Sequence, residues 1–114
     1  MSDDEYEESE GTVTIEGYTD NVFDTIIRKD PRVSILIANS DGQTIRSNMD
    51  YLRSEEASSS VFTFTDKVRV FMKKIFPNEP LERVTLHAKK NEIIVSFDED
   101  FALEILTIQP QTGI

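Results

Sequence analysis

Apolar positions run along this chain in two rhythms. Val22, Phe23, Ile26 and Ile27 recur at i, i+1, i+4 and i+5, which places them on one face of a short helix. Thr19 or Asp20 offers an N-cap for it, and Arg28-Lys29 followed by Pro31 closes it. Arg32 to Ala38 is instead a β-branched, nearly continuous apolar run, the pattern of an interior strand covered on both faces. Asn39-Ser40-Asp41-Gly42 are turn formers, with Gly42 suited to positive φ, and Gln43 to Ser47 returns as a more polar strand with Ile45 inward. Ahead of all this, Thr12-Val13-Thr14-Ile15 alternates briefly before Gly17 and reads as an edge strand or ordered arm.

Residues 48–60 are polar and read as a connection, with a second, longer helix beginning between Ser54 and Ser60. Projected at about 100° per residue, Val61, Phe64, Val68, Phe71, Met72, Ile75 and Phe76 fall on one side, Phe62 widens the arc to about half the cylinder, and Val70 lies opposite. A surface helix needs a stripe of only ~100° to cover its own core, so this width leaves apolar area for something else to cover. Pro77 and Pro80 end the helix. Arg83 to Ala88 then alternates, with Val84, Leu86 and Ala88 on one face and Arg83, Thr85 and His87 on the other. Lys89-Lys90-Asn91 turns the chain into Ile93 to Phe97, and Asp98-Glu99-Asp100 turns it again into Phe101 to Ile108, stopped by Pro110. The apolar phase of this last strand changes between Ile105 and Leu106, which predicts either a bulge or burial on both faces. The order is α-β-β-α-β-β-β. Short turns between strands require an antiparallel sheet, whose apolar faces the two helices must cover. The fold class is α+β.

Length and charge add boundaries to this picture. At 114 residues the chain fits one domain with one modest core, and 38% of it is apolar. The formal charge is −10, but residues 1–10 carry six acids and no base, which leaves −4 for residues 11–114. Residues 1–17 therefore read as an acidic, disordered extension, residues 18–110 as the domain and residues 111–114 as a C-terminal tail. The only local basic clusters are pairs, Arg28-Lys29, Lys73-Lys74 and Lys89-Lys90, so nucleic acid is not an expected partner. The longest apolar runs fall far short of the ~20 residues of a membrane span, and the acidic N-terminus has no secretory or mitochondrial character. No membrane association and a cytoplasmic location are expected. The absence of cysteine excludes disulfides and thiolate metal sites.

Catalytic chemistry has little to build on. His87 is the only histidine, there is no cysteine nucleophile, and no Gly-x-Ser-x-Gly elbow, P-loop or Gly-x-Gly-x-x-Gly occurs. Asp98-Glu99-Asp100 gathers three carboxylates but lacks the spaced acids and mid-loop glycine of a calcium loop, and a solvated turn explains it better. Ser2 and Ser9 lie among acids in the manner of acidic-directed phosphorylation sites, a pattern common by chance. The expectation is a binding protein that is not an enzyme, with no catalytic residues, cofactor or metal.

Two segments carry a family resemblance. Ser34 to Asp50, with its Ile35-Leu36-Ile37-Ala38-Asn39-Ser40-Asp41-Gly42 core, resembles the first hairpin of the roadblock family of dynein light chains. Lys89-Lys90-Asn91-Glu92-Ile93-Ile94-Val95, with Asp98 to Phe101 after it, is similar to the same family's later hairpin, and the long helix closed by proline matches its central helix. The resemblance spans roughly residues 20–110. It implies a five-stranded antiparallel sheet with helices on both faces. It also implies a dimer in which long helices pair antiparallel and third strands join edge to edge into one continuous sheet. Val61, Phe64, Val68, Phe71 and Met72 match the family's central-helix face, and Thr85, Leu86 and His87 its dimer-edge strand. Sequence leaves open which helix residues face the sheet and which face a second subunit. The acidic tail, Thr44 (where members often carry proline) and Glu104 amid apolar residues depart from the family pattern.

The function so implied is that of a dynein light chain. Such a subunit binds the motor's intermediate chain as a homodimer, or as a heterodimer with a paralogue. It supports motor assembly for microtubule-based transport or ciliary motility, in the cytoskeletal dynein complex of the cytoplasm or the axoneme. The alternative is a roadblock-type scaffold or regulator of a small Ras-like GTPase, because one fold hosts both roles.

Overall fold

The computed structural model describes residues 14–110. Its elements are α1 (Ile15–Lys29), β1 (Ser34–Asn39), β2 (Thr44–Ser47), α2 (Tyr51–Ile75), β3 (Arg83–His87), β4 (Asn91–Asp98) and β5 (Leu103–Pro110). The five strands form one sheet in the order β2-β1-β5-β4-β3, and every neighbouring pair is antiparallel. This is the predicted α+β architecture, with one helix on each face.

α1 starts earlier than its apolar spacing suggests. Thr14 caps it, its hydroxyl accepting from the Gly17 amide at 3.0 Å, so Ile15 to Gly17 are helical and the Thr12–Ile15 strand is not formed at its described end. Thr12 and Val13 lie outside the described residues. The early start adds Tyr18 to the apolar face of Val22, Phe23, Ile26 and Ile27, which packs on Val33, Ile35, Ile37 and Leu103. Arg46 reaches up from β2, stacking its guanidinium 4.1 Å over the Phe23 ring and pairing with Asp20.

The β1–β2 turn forms as its residues predict. The Asn39 side-chain oxygen accepts from the Asp41 and Gln43 amides at 2.9 and 3.0 Å, and Gly42 sits at φ 81°. A bulge falls between Ile37 and Ala38, where β1 meets β2. No bulge occurs in β5. That strand pairs in unbroken register with β1 on one side and β4 on the other, so its phase change at Ile105-Leu106 marks burial on both faces. Phe101 belongs to the β4–β5 turn rather than to β5, and the strand runs on to Pro110.

α2 is the larger surprise. Asp50 caps it, accepting from the Arg53 amide at 2.9 Å, and the helix spans 25 residues, taking in most of the stretch expected to be a connection. Its first turns meet the sheet through small residues. Ser54 donates to the Ser47 hydroxyl at 2.8 Å, Ser58 bonds the Gly42 carbonyl, and Ala57 and Val61 pack on the buried cluster of Leu36, Ala38, Val95 and Leu106. Further along, Thr65 is fully buried and its hydroxyl lies 3.2 Å from the carboxylate of Glu104, which is itself 4% exposed. Arg69 pairs with the same carboxylate at 3.2 Å and stacks 4.4 Å above Phe97. Glu104 thus belongs to a polar clasp between β5 and the middle of α2, which accounts for a charged residue among apolar neighbours.

A half-covered sheet face and an open strand edge

The helix that covers Leu36 and Leu106 does not cover the whole of that face. Its packing against the sheet is concentrated on β1 and β2, at one side. Cross-strand register places Leu86 opposite Ile93, and Val84 opposite Val95, on the α2 side of β3 and β4. Val84 and Ile93 are half-buried and Leu86 is 41% exposed, so among the described residues the apolar surface runs out to the edge strand uncovered.

The wide apolar arc of α2 divides accordingly. Val61 joins the core, and Val68 and Met72 are half-buried. Phe64, Phe71 and Ile75 are exposed at 39%, 58% and 51%. On a helical projection these three and Val68 lie on the same flank as Ala57 and Val61, away from Phe62, which touches Gly42 of the β1–β2 turn. The bare flank therefore borders the uncovered part of the sheet rather than the β1–β2 hairpin. Ile75 belongs with the candidate residues on this geometry, although the family pattern alone does not select it.

β3 forms one rim of this surface. It pairs only with β4 among the described strands and so lies at the margin of the described sheet. Thr85 and His87 point to the opposite face from Leu86 and are exposed. His87 Nε2 lies 3.3 Å from Glu92 directly across the strand pair, and Glu92 also accepts from Gln109 at 2.8 Å. Of the eight candidate interface residues, the structure gathers Phe64, Val68, Phe71 and Leu86 along the open side of one face and sets Met72 at that helix's far end. Val61 is core, and Thr85 and His87 face the other way.

The acidic turn after β4 is occupied by its own chain. Asp98 accepts from the Tyr18 hydroxyl and, at 3.1 Å, from the Phe101 amide. This bond, with desolvation and the charges of Asp98 and Asp100, pushes the Tyr18 phenol up to about 12. Among the described residues no group of three or more His, Asp or Glu side chains is placed to hold a metal ion, and no helix is long and apolar enough to cross a membrane.

Fold and surface together define an α+β domain with one helix per sheet face and β3 at the margin of the described sheet. The chain is similar to the crystal structure of a Roadblock/LC7 domain from Streptomyces avermitilis, with a TM-score of 0.67 over 76% of this chain and 73% of that one. Sequence identity is 10%, so the likeness is one of fold, and the fold is roadblock-like. No family model matches the sequence.

Proposed function

We propose that this protein is a non-catalytic light chain of the dynein type, a dimer that holds an intermediate chain and supports motor assembly. The observation that carries the dimer is the apolar flank of α2, Phe64, Phe71 and Ile75, bordering the bare side of β3 and β4. A second copy laid antiparallel would cover both at once. Charge favours that orientation: the start of α2 carries Asp50, Glu55 and Glu56 against Arg53, a net −2, and its second half carries Lys67, Arg69, Lys73 and Lys74 against Asp66, a net +3. Antiparallel helices set acids against bases, whereas parallel ones would oppose like charges. The basic end also complements the helix dipole of a single subunit, so charge supports the orientation and apolar exposure supports the pairing.

The intermediate chain rests on the sequence resemblance of the Lys89–Val95 hairpin, since the fold by itself does not choose a partner. Location in the cytoplasmic or ciliary dynein complex follows from the same reading, as does the exclusion of nucleic acid and membrane from its partners. Affinity capture from the native cell tests it. Recovery of intermediate and heavy chains is the expected result. Recovery of a small Ras-like GTPase without motor subunits would replace the motor reading with that of a roadblock-type regulator.

A further inference from the structure

A cleft of about 580 Å³ opens where the end of α2 passes the β4–β5 turn. Met72, Pro77, Leu81 and Phe97 supply its apolar wall, and its volume lies within the range of about 300–1,000 Å³ typical of ligand sites. The walls are held by their own chain. Pro77 and Pro80 restrict the backbone between α2 and β3, and the Glu79 amide donates to the Phe76 carbonyl at 3.1 Å. Arg69 is fixed by its bond to Glu104 and by the Phe97 ring.

Four carboxylates, Glu79, Asp98, Glu99 and Glu104, line the cleft against two cations, Arg69 and Lys73. Asp98 is engaged by the Tyr18 hydroxyl and the Phe101 amide. Glu79 and Glu99 are exposed and make no side-chain hydrogen bond or ion pair among the described residues. Glu104 differs from both. It is 4% exposed, yet its carboxylate, with room for about four hydrogen bonds, receives at most two among the described residues. One comes from Arg69 Nη1 at 3.2 Å. The other comes from the Thr65 hydroxyl, whose single hydrogen is also within reach of the Phe62 carbonyl at 3.3 Å. A buried carboxylate short of donors, in a cleft rimmed by unpaired acids, suits an incoming cation.

We propose that this cleft takes an arginine or lysine side chain from a basic, partly apolar segment of a partner protein. Its head group supplies the donors that Glu104 lacks, its methylene stem lies against Met72 and Leu81, and neighbouring basic residues of the segment meet Glu79 and Glu99. A second cleft, of about 750 Å³, shares Pro80, Leu81 and Glu99 and adds Glu82 and Asp100 against Arg83, which extends the acidic path. The site is distinct from the surface assigned to a second copy. On a helical projection Arg69 and Lys73 lie across α2 from Phe64 and Phe71. The inference therefore stands or falls independently of the dimer and of the dynein reading.

The probe is the peptide Lys-Leu-Arg-Leu-Lys, blocked at both ends and titrated into isotope-labelled full-length protein. The Leu81, Phe97 and Ala102 amides should shift saturably, while Leu52, at the other end of α2, should not. Residues 1–10 carry six acids and attract any basic peptide, so the decisive comparison is between variants of equal net charge. Glu79→Gln with Glu99→Gln should weaken binding at least about threefold. Glu55→Gln with Glu56→Gln should leave it unchanged; all four positions are exposed, so neither pair threatens the fold. Glu104→Gln, which keeps the shape of the side chain without its charge, should weaken binding at least as much as the first pair. Equal weakening by the two glutamine pairs, or equal binding of Glu-Leu-Glu-Leu-Glu, would overturn the inference. So would the absence of shifts at Leu81, Phe97 and Ala102 at about 1 mM peptide.

Discussion

Replacing Phe71 by Glu separates the proposed association from the fold. Phe71 is 58% exposed, so of roughly 200 Å² of aromatic surface about 115 Å² is open to a partner. At about 25 cal/mol per Å² that area is worth up to about 3 kcal/mol. A two-fold interface uses each residue twice, so the dimer would lose up to about 6 kcal/mol, or about four decades in Kd. The covered remainder of Phe71 contributes at most about 2 kcal/mol to the subunit itself, within the usual stability of a domain this size. Sedimentation velocity at micromolar concentration should therefore show the parent near twice 13.0 kDa and Phe71→Glu near 13.0 kDa, with a native circular dichroism spectrum in both. A variant that remains dimeric would show that another surface joins the subunits. One that unfolds would show that Phe71 belongs to the core of a single copy.

Other consequences concern the subunit alone. Gly42→Ala would strain a residue at φ 81° and press a methyl within 2.9 Å of the Phe62 ring, so urea denaturation should show a loss of about 1–3 kcal/mol. Ala102 holds φ 55° in the β4–β5 turn, and Ala102→Gly should gain about 0.5–1 kcal/mol in the same assay. Glu104→Ala leaves Arg69 without its counter-charge and Thr65 with only the Phe62 carbonyl, 3.3 Å away, as acceptor; because Arg69 is 44% exposed and can turn to water, a loss of about 1–2 kcal/mol is expected, read as a lower urea midpoint. Raising the Tyr18 value from 10.0 to about 12 means that the fold favours the protonated phenol. That contribution is complete below pH 10 and is lost as pH rises toward 12; ultraviolet titration should show one tyrosine ionising late, and Tyr18→Phe should remove that late step.

Much of the fold is written in local pattern. The run Ile35 to Ala38, the turn at Asn39 to Gly42 and the alternation of Val84 to His87 each specify their element without help from the rest of the chain. The start of α2 does not, because Ser54, Ala57 and Ser58 meet the sheet through small side chains and polar bonds, so no apolar period marks them. Asp50 was the available signal, as an N-cap without a following capping-box acid. The division of the apolar arc was also hidden. Phe64 and Phe71 carry the same hydrophobicity as Val61, and only the offset of α2 toward β1 and β2 decides which side chain it buries. Glu104 looked anomalous because its partners, Thr65 and Arg69, stand 39 and 35 residues away.

The two margins of the sheet are not equivalent. β2 has four residues, and the irregularity between Ile37 and Ala38 bends its pairing just where a neighbour would have to register. Such a margin is a poor template for recruiting a further chain, while β3 pairs with β4 in unbroken register. If a second copy joined along β3, only this blunted margin would remain at each end of the combined sheet, so pairing of that kind would stop at two subunits.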